Sequence, residues 1–319
     1  MRFHVSHYTE NELALTLLKD QEKGFEVSVI PSIGALLHSF SIKTTAGQIN
    51  IIDNYKSLDN LKKTMRSVHK SSKLSPFVCR IQDGKYHYNN QELEFMEKFP
   101  DGSAIHGILF DRPFEITDEI AAENEASVTM QYRYKADNKG YPFHYNCLVK
   151  YHLKENGRLQ IETAVLNTGK EDIPISDGWH PYFTMGGKLD NWELSFKASK
   201  MVEFDQKLIP TGKLIPNQQF LKSEKIAETF LDNCFLIDNP NGESACRLLN
   251  PDNGLELSFY PDKHYPFLQI YTPPHRESIA IENLSSAPDA FNNKMGLTIL
   301  APGHSQTFTI GYQLSKRAV

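Results

Sequence analysis

Apolar and polar residues alternate with a period of two through much of this chain. In Ala126-Ser127-Val128-Thr129-Met130-Gln131-Tyr132-Arg133-Tyr134 every even position is apolar and every odd one polar, the pattern of a strand with one wet face. Tyr145, Cys147, Val149, Tyr151 and Leu153 repeat it. Asn156-Gly157 then supplies residues that tolerate positive φ, and Leu159, Ile161, Thr163 and Val165 return. The spacing predicts a long antiparallel hairpin closed by a two-residue turn. Further strands are predicted at Phe25/Val27/Val29, at Leu255/Leu257/Phe259 after Asn253-Gly254, at Ile279/Ile281 and at Phe308/Ile310/Tyr312/Leu314. Leu13, Leu15 and Leu17 also alternate, so Glu10 to Leu18 reads as strand despite a helix-compatible composition. Only Ser57 to Lys73 reads as helix or irregular surface. Its Lys62, Lys63, Arg66, His69, Lys70 and Lys73 read first as a solvated face and second as an anion patch.

Many strands and few helices, with no repeat, low-complexity tract or linker between them, predict an all-β chain: one large antiparallel sandwich or barrel over residues 1–319. Thirty-four Lys and Arg against 39 Asp and Glu give a formal charge of −5, which offers no basic field for nucleic acid. A 40% hydrophobic content is that of a globular protein, not a disordered one. Cys79, Cys147, Cys234 and Cys246 lie far apart without a C-x-x-C pair, so buried free thiols are expected rather than a zinc knuckle or disulfide scaffold. Met1 to His7 has no apolar signal core, and no run of about 18 apolar residues occurs. The expectation is a soluble cytoplasmic protein without a membrane partner.

Four places set polar residues beside turn chemistry, where enzymes tend to hold their working groups. Arg80 precedes Gln82-Asp83-Gly84; it reads equally as a fork of donors for a ligand oxygen and as half of an ion pair. His106 precedes Gly107, which permits close backbone approach. His180 sits among Trp179, Tyr182 and Phe183, with Pro181 holding it out of the helical region; it reads equally as a structural histidine and as a working group whose aromatic neighbours offer stacking faces to a sugar. Glu282 follows the apolar Ile279-Ala280-Ile281 and precedes a polar loop; on local sequence it reads first as a surface glutamate at a strand end and second as a partly desolvated carboxylate base.

Taken in order, these strings resemble the aldose 1-epimerase (mutarotase) family, specifically a divergent branch of it, from about Phe25 to Leu314. The residues carrying the resemblance are Arg80 with Asp83-Gly84, then Ala104-Ile105-His106-Gly107 with Asp111-Arg112-Pro113-Phe114. They continue with Gly178-Trp179-His180-Pro181-Tyr182-Phe183, Leu231-Asp232-Asn233-Cys234-Phe235, and Ile281-Glu282 with Pro288-Asp289-Ala290-Phe291-Asn292. The resemblance implies the galactose mutarotase-like β-sandwich, His180 as general acid, Glu282 as general base, and Arg80, His106 and Asp232 as substrate-binding groups. Cys79 stands where the family commonly has Asn, and Glu282 is followed by Asn283-Leu284-Ser285 rather than a Pro-containing loop. These departures leave the sugar open.

Interconverting anomers requires a proton to leave the anomeric hydroxyl while another reaches the ring oxygen. That chemistry predicts an ionised Glu282 and a protonated His180 on two sides of a pyranose, in an open cleft that holds the ring between them. It calls for no cofactor and no metal, and for an aldohexose as partner to a monomer or weak homodimer. Competing readings are a hexose-6-phosphate 1-epimerase, which adds basic side chains for the phosphate, and a non-catalytic carbohydrate-binding module. A glycoside hydrolase would pair Glu282 with Asp232 or Asp177. A metal site from His106, His180 and Glu282 ranks last, because such ligands usually include a close sequence pair.

Overall fold

The computed structural model describes residues 1–45 and 47–317. Among them, two antiparallel sheets carry the architecture. The first has nine strands in the order Glu115–Ala121, Glu125–Lys135, His144–Lys154, Arg158–Asn167, Ser305–Lys316, Leu255–Pro261, Cys246–Asn250, Glu193–Phe196 and Glu224–Lys225. The second runs Pro210–Pro216, Lys200–Phe204, Asp232–Leu236, Phe267–Tyr271, Ile279–Leu284, Gly178–His180 and Ser72–Leu74, with Tyr182–Phe183 also paired to Ile279–Leu284. A five-stranded meander from Phe3–Glu10 to Gly47–Asn50 packs alongside.

The alternation seen in the sequence sorts the side chains of the second sheet. Trp179, Phe235, Leu268, Ile270, Ile279 and Ile281 join the main core, where Trp179 meets Tyr151 of the first sheet at 5.9 Å and Phe183 meets Phe259 at 5.2 Å. Each such buried apolar side chain contributes roughly 1.5–3 kcal/mol. By the period of two, Asp232, Gln269, Glu282 and His180 are left on the opposite face, on four adjacent strands.

Most of the expected strands form. Glu10 and Leu13 end one strand and begin the next, Phe3–Glu10 and Leu13–Asp20, around Asn11 and Glu12 at positive φ. The hairpin turn differs from expectation: Lys154 pairs with Arg158, so three residues, Glu155, Asn156 and Gly157, make the connection. Asn156 and Gly157 hold the positive φ values their types allow; Glu155 is the added residue.

Helix occupies Leu58–Val68, capped by Ser57, whose Oγ accepts from the Asn60 N–H at 3.1 Å. The basic run divides: on the helix Lys62, Lys63 and Arg66 are exposed, the solvated face expected first, whereas the residues after it turn inward. Lys63, Arg66 and Lys70 are ion-paired to Asp59, to Glu97 and Asp111, and to Asp53, while His69, Ser72 and Lys73 are buried. Lys73 lies in the inter-sheet core because its strand neighbours, Ser72 and Leu74, take the other face. All four cysteines are free and buried. No helix among the described residues is long and apolar enough to cross a membrane.

Candidate active site

The antiparallel register that sets Gly178 against Leu284 and Tyr182 against Ala280 brings His180 opposite Glu282. Neighbouring strands lie about 4.8 Å apart, so two inward side chains on one face meet: His180 Nε2 is 3.4 Å from Glu282 Oε1. The expected gap for a pyranose between them is therefore absent. Both residues are buried, His180 6% and Glu282 2% exposed, so they do not stand as two open walls on either side of a ring.

The next strand adds Gln269, in register with Glu282, and Gln269 Nε2 donates to Asp232 Oδ1 at 2.9 Å. Asp232 is only partly buried and pairs with Tyr271, whose ring meets the exposed Phe230 edge-on. Arg80 and His106 arrive on a separate two-stranded ribbon, Arg80–Ile81 with Ala104–Ile105. The ribbon is fixed by His106 N–H to Cys79 carbonyl at 2.8 Å and Asp289 N–H to Arg80 carbonyl at 2.7 Å. The His106 ring then stands 4.6 Å from that of His180. Arg80 forms the ion pair that was one of its two readings: Nε donates to Asp101 at 3.1 Å, and its charge also acts on Glu282 and Asp232.

Gly107 permits the approach expected of it. A Cβ there would fall 2.4 Å from the Ser75 carbonyl oxygen and 2.6 Å from its nitrogen, and φ is +76°. Gly107→Ala is therefore expected to cost at least about 2 kcal/mol, from left-handed strain of roughly 1–2 kcal/mol and a forced backbone shift. A chemical-denaturation midpoint within error of wild type would refute that expectation.

Burial dominates the protonation states. It lowers His180 to about 3, with His69 adding to the shift, and holds His106 well below the usual imidazole range. Burial drives the Glu282 carboxyl well above the carboxylate range; Asp232 adds to this and Arg80 opposes it. Asp232 is raised by burial, against Arg80 and Gln269. The expected ionised Glu282 beside a protonated His180 is therefore not the form burial favours. The favoured form is a carboxylic acid beside a neutral imidazole. The two forms contain the same number of protons, since the pair holds one proton that sits on Glu282 or on His180.

Two residues of the site were not singled out as candidates from sequence. His69 closes the helix Leu58–Val68 in a left-handed conformation, φ 48°, and its ring lies 4.8 Å from that of His106 at a 59° tilt, extending a histidine row that meets Phe110 edge-on. It was hidden in a lysine-rich run. Gln269 carries a usable signal, a lone amide inside the apolar Phe267-Leu268-Gln269-Ile270. Asp177, considered as a second carboxylate, faces the core and pairs with Lys73 at 2.6 Å, so it takes no part in the site. A cavity of about 440 Å³ borders His69 and Gly107 but is not lined by His180 or Glu282. Its cations Arg66, Lys98 and Arg112 are each paired to carboxylates.

Known proteins share this arrangement of the chain. A galactose mutarotase-like protein from Clostridium acetobutylicum superposes with a TM-score of 0.87 at 18% identity over 99% of each chain. Galactose 1-epimerase from Lactobacillus acidophilus superposes at 0.81 and 18% identity over 100% of each. In sequence, the chain is 29% identical to the uncharacterised protein YihR of Escherichia coli over 75% of this chain and 77% of that one. It is 23% identical to an aldose 1-epimerase of Streptococcus thermophilus over 92% of each. The sequence model of the family described as Aldose 1-epimerase matches residues 16–313, nearly the whole sheet architecture, and the chain belongs to that family.

Proposed function

We propose that the protein interconverts the α and β anomers of an unphosphorylated aldohexose, with Glu282 and His180 as a proton-transfer pair that holds one proton. The observation that carries this reading is the 3.4 Å contact between His180 Nε2 and Glu282 Oε1, on a face shared with Asp232. The anomeric hydroxyl and the ring oxygen are both bonded to C1. Two proton-transfer groups side by side can therefore reach both, and the chemistry does not need them on opposite sides of the ring.

In the tautomer with an ionised carboxylate, Glu282 accepts the anomeric hydroxyl proton while His180 donates to the ring oxygen, and the C1 to ring-oxygen bond breaks. Rotation about C1–C2 presents the other carbonyl face. On closure each group reverses its role, so the pair regains its proton with no net exchange. A positioned acid or base contributes roughly 10²–10⁴-fold. Arg80 favours the ionised Glu282 that this step uses, and polar sugar hydroxyls entering the site act in the same direction. Asp232, Arg80 and His106 bind the hydroxyls.

The phosphorylated-sugar reading lacks such support. Arg80 is engaged by Asp101, and Arg112 by Asp137 on the separate cavity. Saturation-transfer NMR across a panel of pure aldohexose anomers, with and without a 6-phosphate, tests the proposal. Exchange faster than the spontaneous rate is expected for an unphosphorylated sugar; no acceleration with any member of the panel would refute it. Asp232→Asn is expected to raise KM at least about tenfold while kcat falls by less, since it weakens sugar positioning and not proton transfer. Steady-state rates over a sugar concentration series measure that split, and an unchanged KM would remove Asp232 from the binding set.

A further inference from the structure

The same pair, joined by His106, also has the geometry of a cation site. The ligand atoms of His106, His180 and Glu282 lie within 4.8 Å of one another, and all three residues are buried. In a tetrahedral site with bonds of about 2.0–2.1 Å, ligand atoms are separated by roughly 3.4 Å. His180 Nε2 and Glu282 Oε1 already stand at 3.4 Å, so a modest turn of His106 completes three corners. Two imidazoles and one carboxylate suit zinc, nickel, cobalt and copper ions, whereas magnesium and calcium require oxygen-rich sites.

A second observation defines how such an ion would be held. Among the described residues, His106 Nδ1, His180 Nδ1 and Glu282 Oε2 are buried without a hydrogen-bond partner. Resident metal sites orient their imidazoles by a bond to the second ring nitrogen, and losing that support costs about 10–100-fold in affinity. The trio thus has spare donors to turn toward an ion but lacks the outer support of a permanent site.

We propose that His106, His180 and Glu282 reversibly bind one divalent transition-metal ion in place of the sugar, making such ions competitive inhibitors. The inhibitory half rests on the epimerase reading, because the ion takes the lone pairs on Glu282 and His180 that proton transfer uses. The binding half stands without it.

The test uses full-length, chelator-stripped protein. Zn²⁺ binding is measured by calorimetry, and Co²⁺ by its visible absorption, in wild type, His106→Gln, Glu282→Gln and the exposed-site control His304→Gln. One ion per chain is expected, weakened at least about tenfold in His106→Gln and in Glu282→Gln and unchanged in His304→Gln. Added aldohexose should bleach the Co²⁺ bands of wild type, a result that needs no variant to fold. Zn²⁺ should raise KM without lowering kcat. Equal affinity in wild type and both ligand variants, an adventitious ion only, would overturn the binding half; in a chain that accelerates anomer exchange, Co²⁺ bands indifferent to sugar or inhibition that lowers kcat alone would overturn the competitive half. A chain that binds Zn²⁺ at this trio but accelerates no anomer exchange refutes the epimerase reading and leaves the ion site standing.

Discussion

Glu282→Gln and His180→Asn are each expected to lower kcat by at least about 100-fold, while the sugar Kd changes by less than about tenfold. Gln keeps the shape of Glu282 but cannot accept a proton, and Asn removes the imidazole; each abolishes one half of a transfer worth roughly 10²–10⁴-fold. Because the two groups hold one proton between them across 3.4 Å, the double variant should be scarcely slower than either single one. Residues acting as a unit are strongly non-additive. Exchange rates by NMR and binding by calorimetry, measured on the same preparations, separate the two effects. A His180→Asn protein that turns over at the wild-type rate would move its role elsewhere, with His106, 4.6 Å away ring to ring, the first replacement. A double variant that multiplies the two losses would show that the groups act independently.

The depth of the pair sets its resting state. With Glu282 2% exposed and His180 6% exposed, separating charge between them in the empty site costs desolvation on both. The neutral tautomer is the lower form until something polar enters. Sugar hydroxyls are such a group, and Arg80 is already placed to favour the carboxylate. Under the proposed function, ligand binding would thereby contribute to forming the reactive charge distribution as well as to positioning C1.

The sequence made the all-β class visible because strands that bury one face write a period of two directly into the chain. The clearest example, Ala126 to Tyr134, lies within the strand Glu125–Lys135. The same period sends Glu282 and His180 to one face once their register is known, but register between residues 102 positions apart is not written locally. Hence the candidates were legible while their 3.4 Å contact was not, and the imagined gap between them was wrong. Cys79 illustrates the opposite case. It stands where the family commonly has Asn and adopts a left-handed conformation, φ 48°, which Asn adopts more readily than most residues; its carbonyl still accepts the His106 N–H. Lys73 was misread for want of its partner, since a lysine three residues after Lys70 looks like surface until Asp177, far along the chain, is placed against it.

That buried ion pair is expected to yield a large stability effect from a single side chain. Lys73 and Asp177 are both 0% exposed. Lys73 Nζ donates to Asp177 Oδ1 at 2.6 Å and to the Gly178 carbonyl at 3.1 Å, and it lies 4.5 Å over the Trp179 ring. The Tyr265 hydroxyl donates to the same carboxylate oxygen at 2.6 Å. Removing the carboxylate in Asp177→Ala strands a charged ammonium in the core, a loss of about 3–5 kcal/mol. Replacing both partners by apolar residues, Lys73→Met with Asp177→Leu, leaves no orphaned charge, though it removes the partner of the buried Tyr265 hydroxyl at about 1–3 kcal/mol, and should recover part of that loss. The strand carrying His180 is also held by backbone bonds that neither change removes, His180 carbonyl to Ser71 N–H at 2.9 Å and Asp177 carbonyl to Ser285 N–H at 2.8 Å. The double variant is therefore expected to keep kcat within about tenfold of wild type, whereas a displacement of His180 by about 1 Å would cost on the order of 100-fold. Denaturant midpoints at unchanged m-value report the stability, and anomer exchange reports the geometry. Recovered stability with kcat still down 100-fold would make the ion pair a positioning device for His180, and a double variant as unstable as Asp177→Ala would show that the pair is itself a net source of stability.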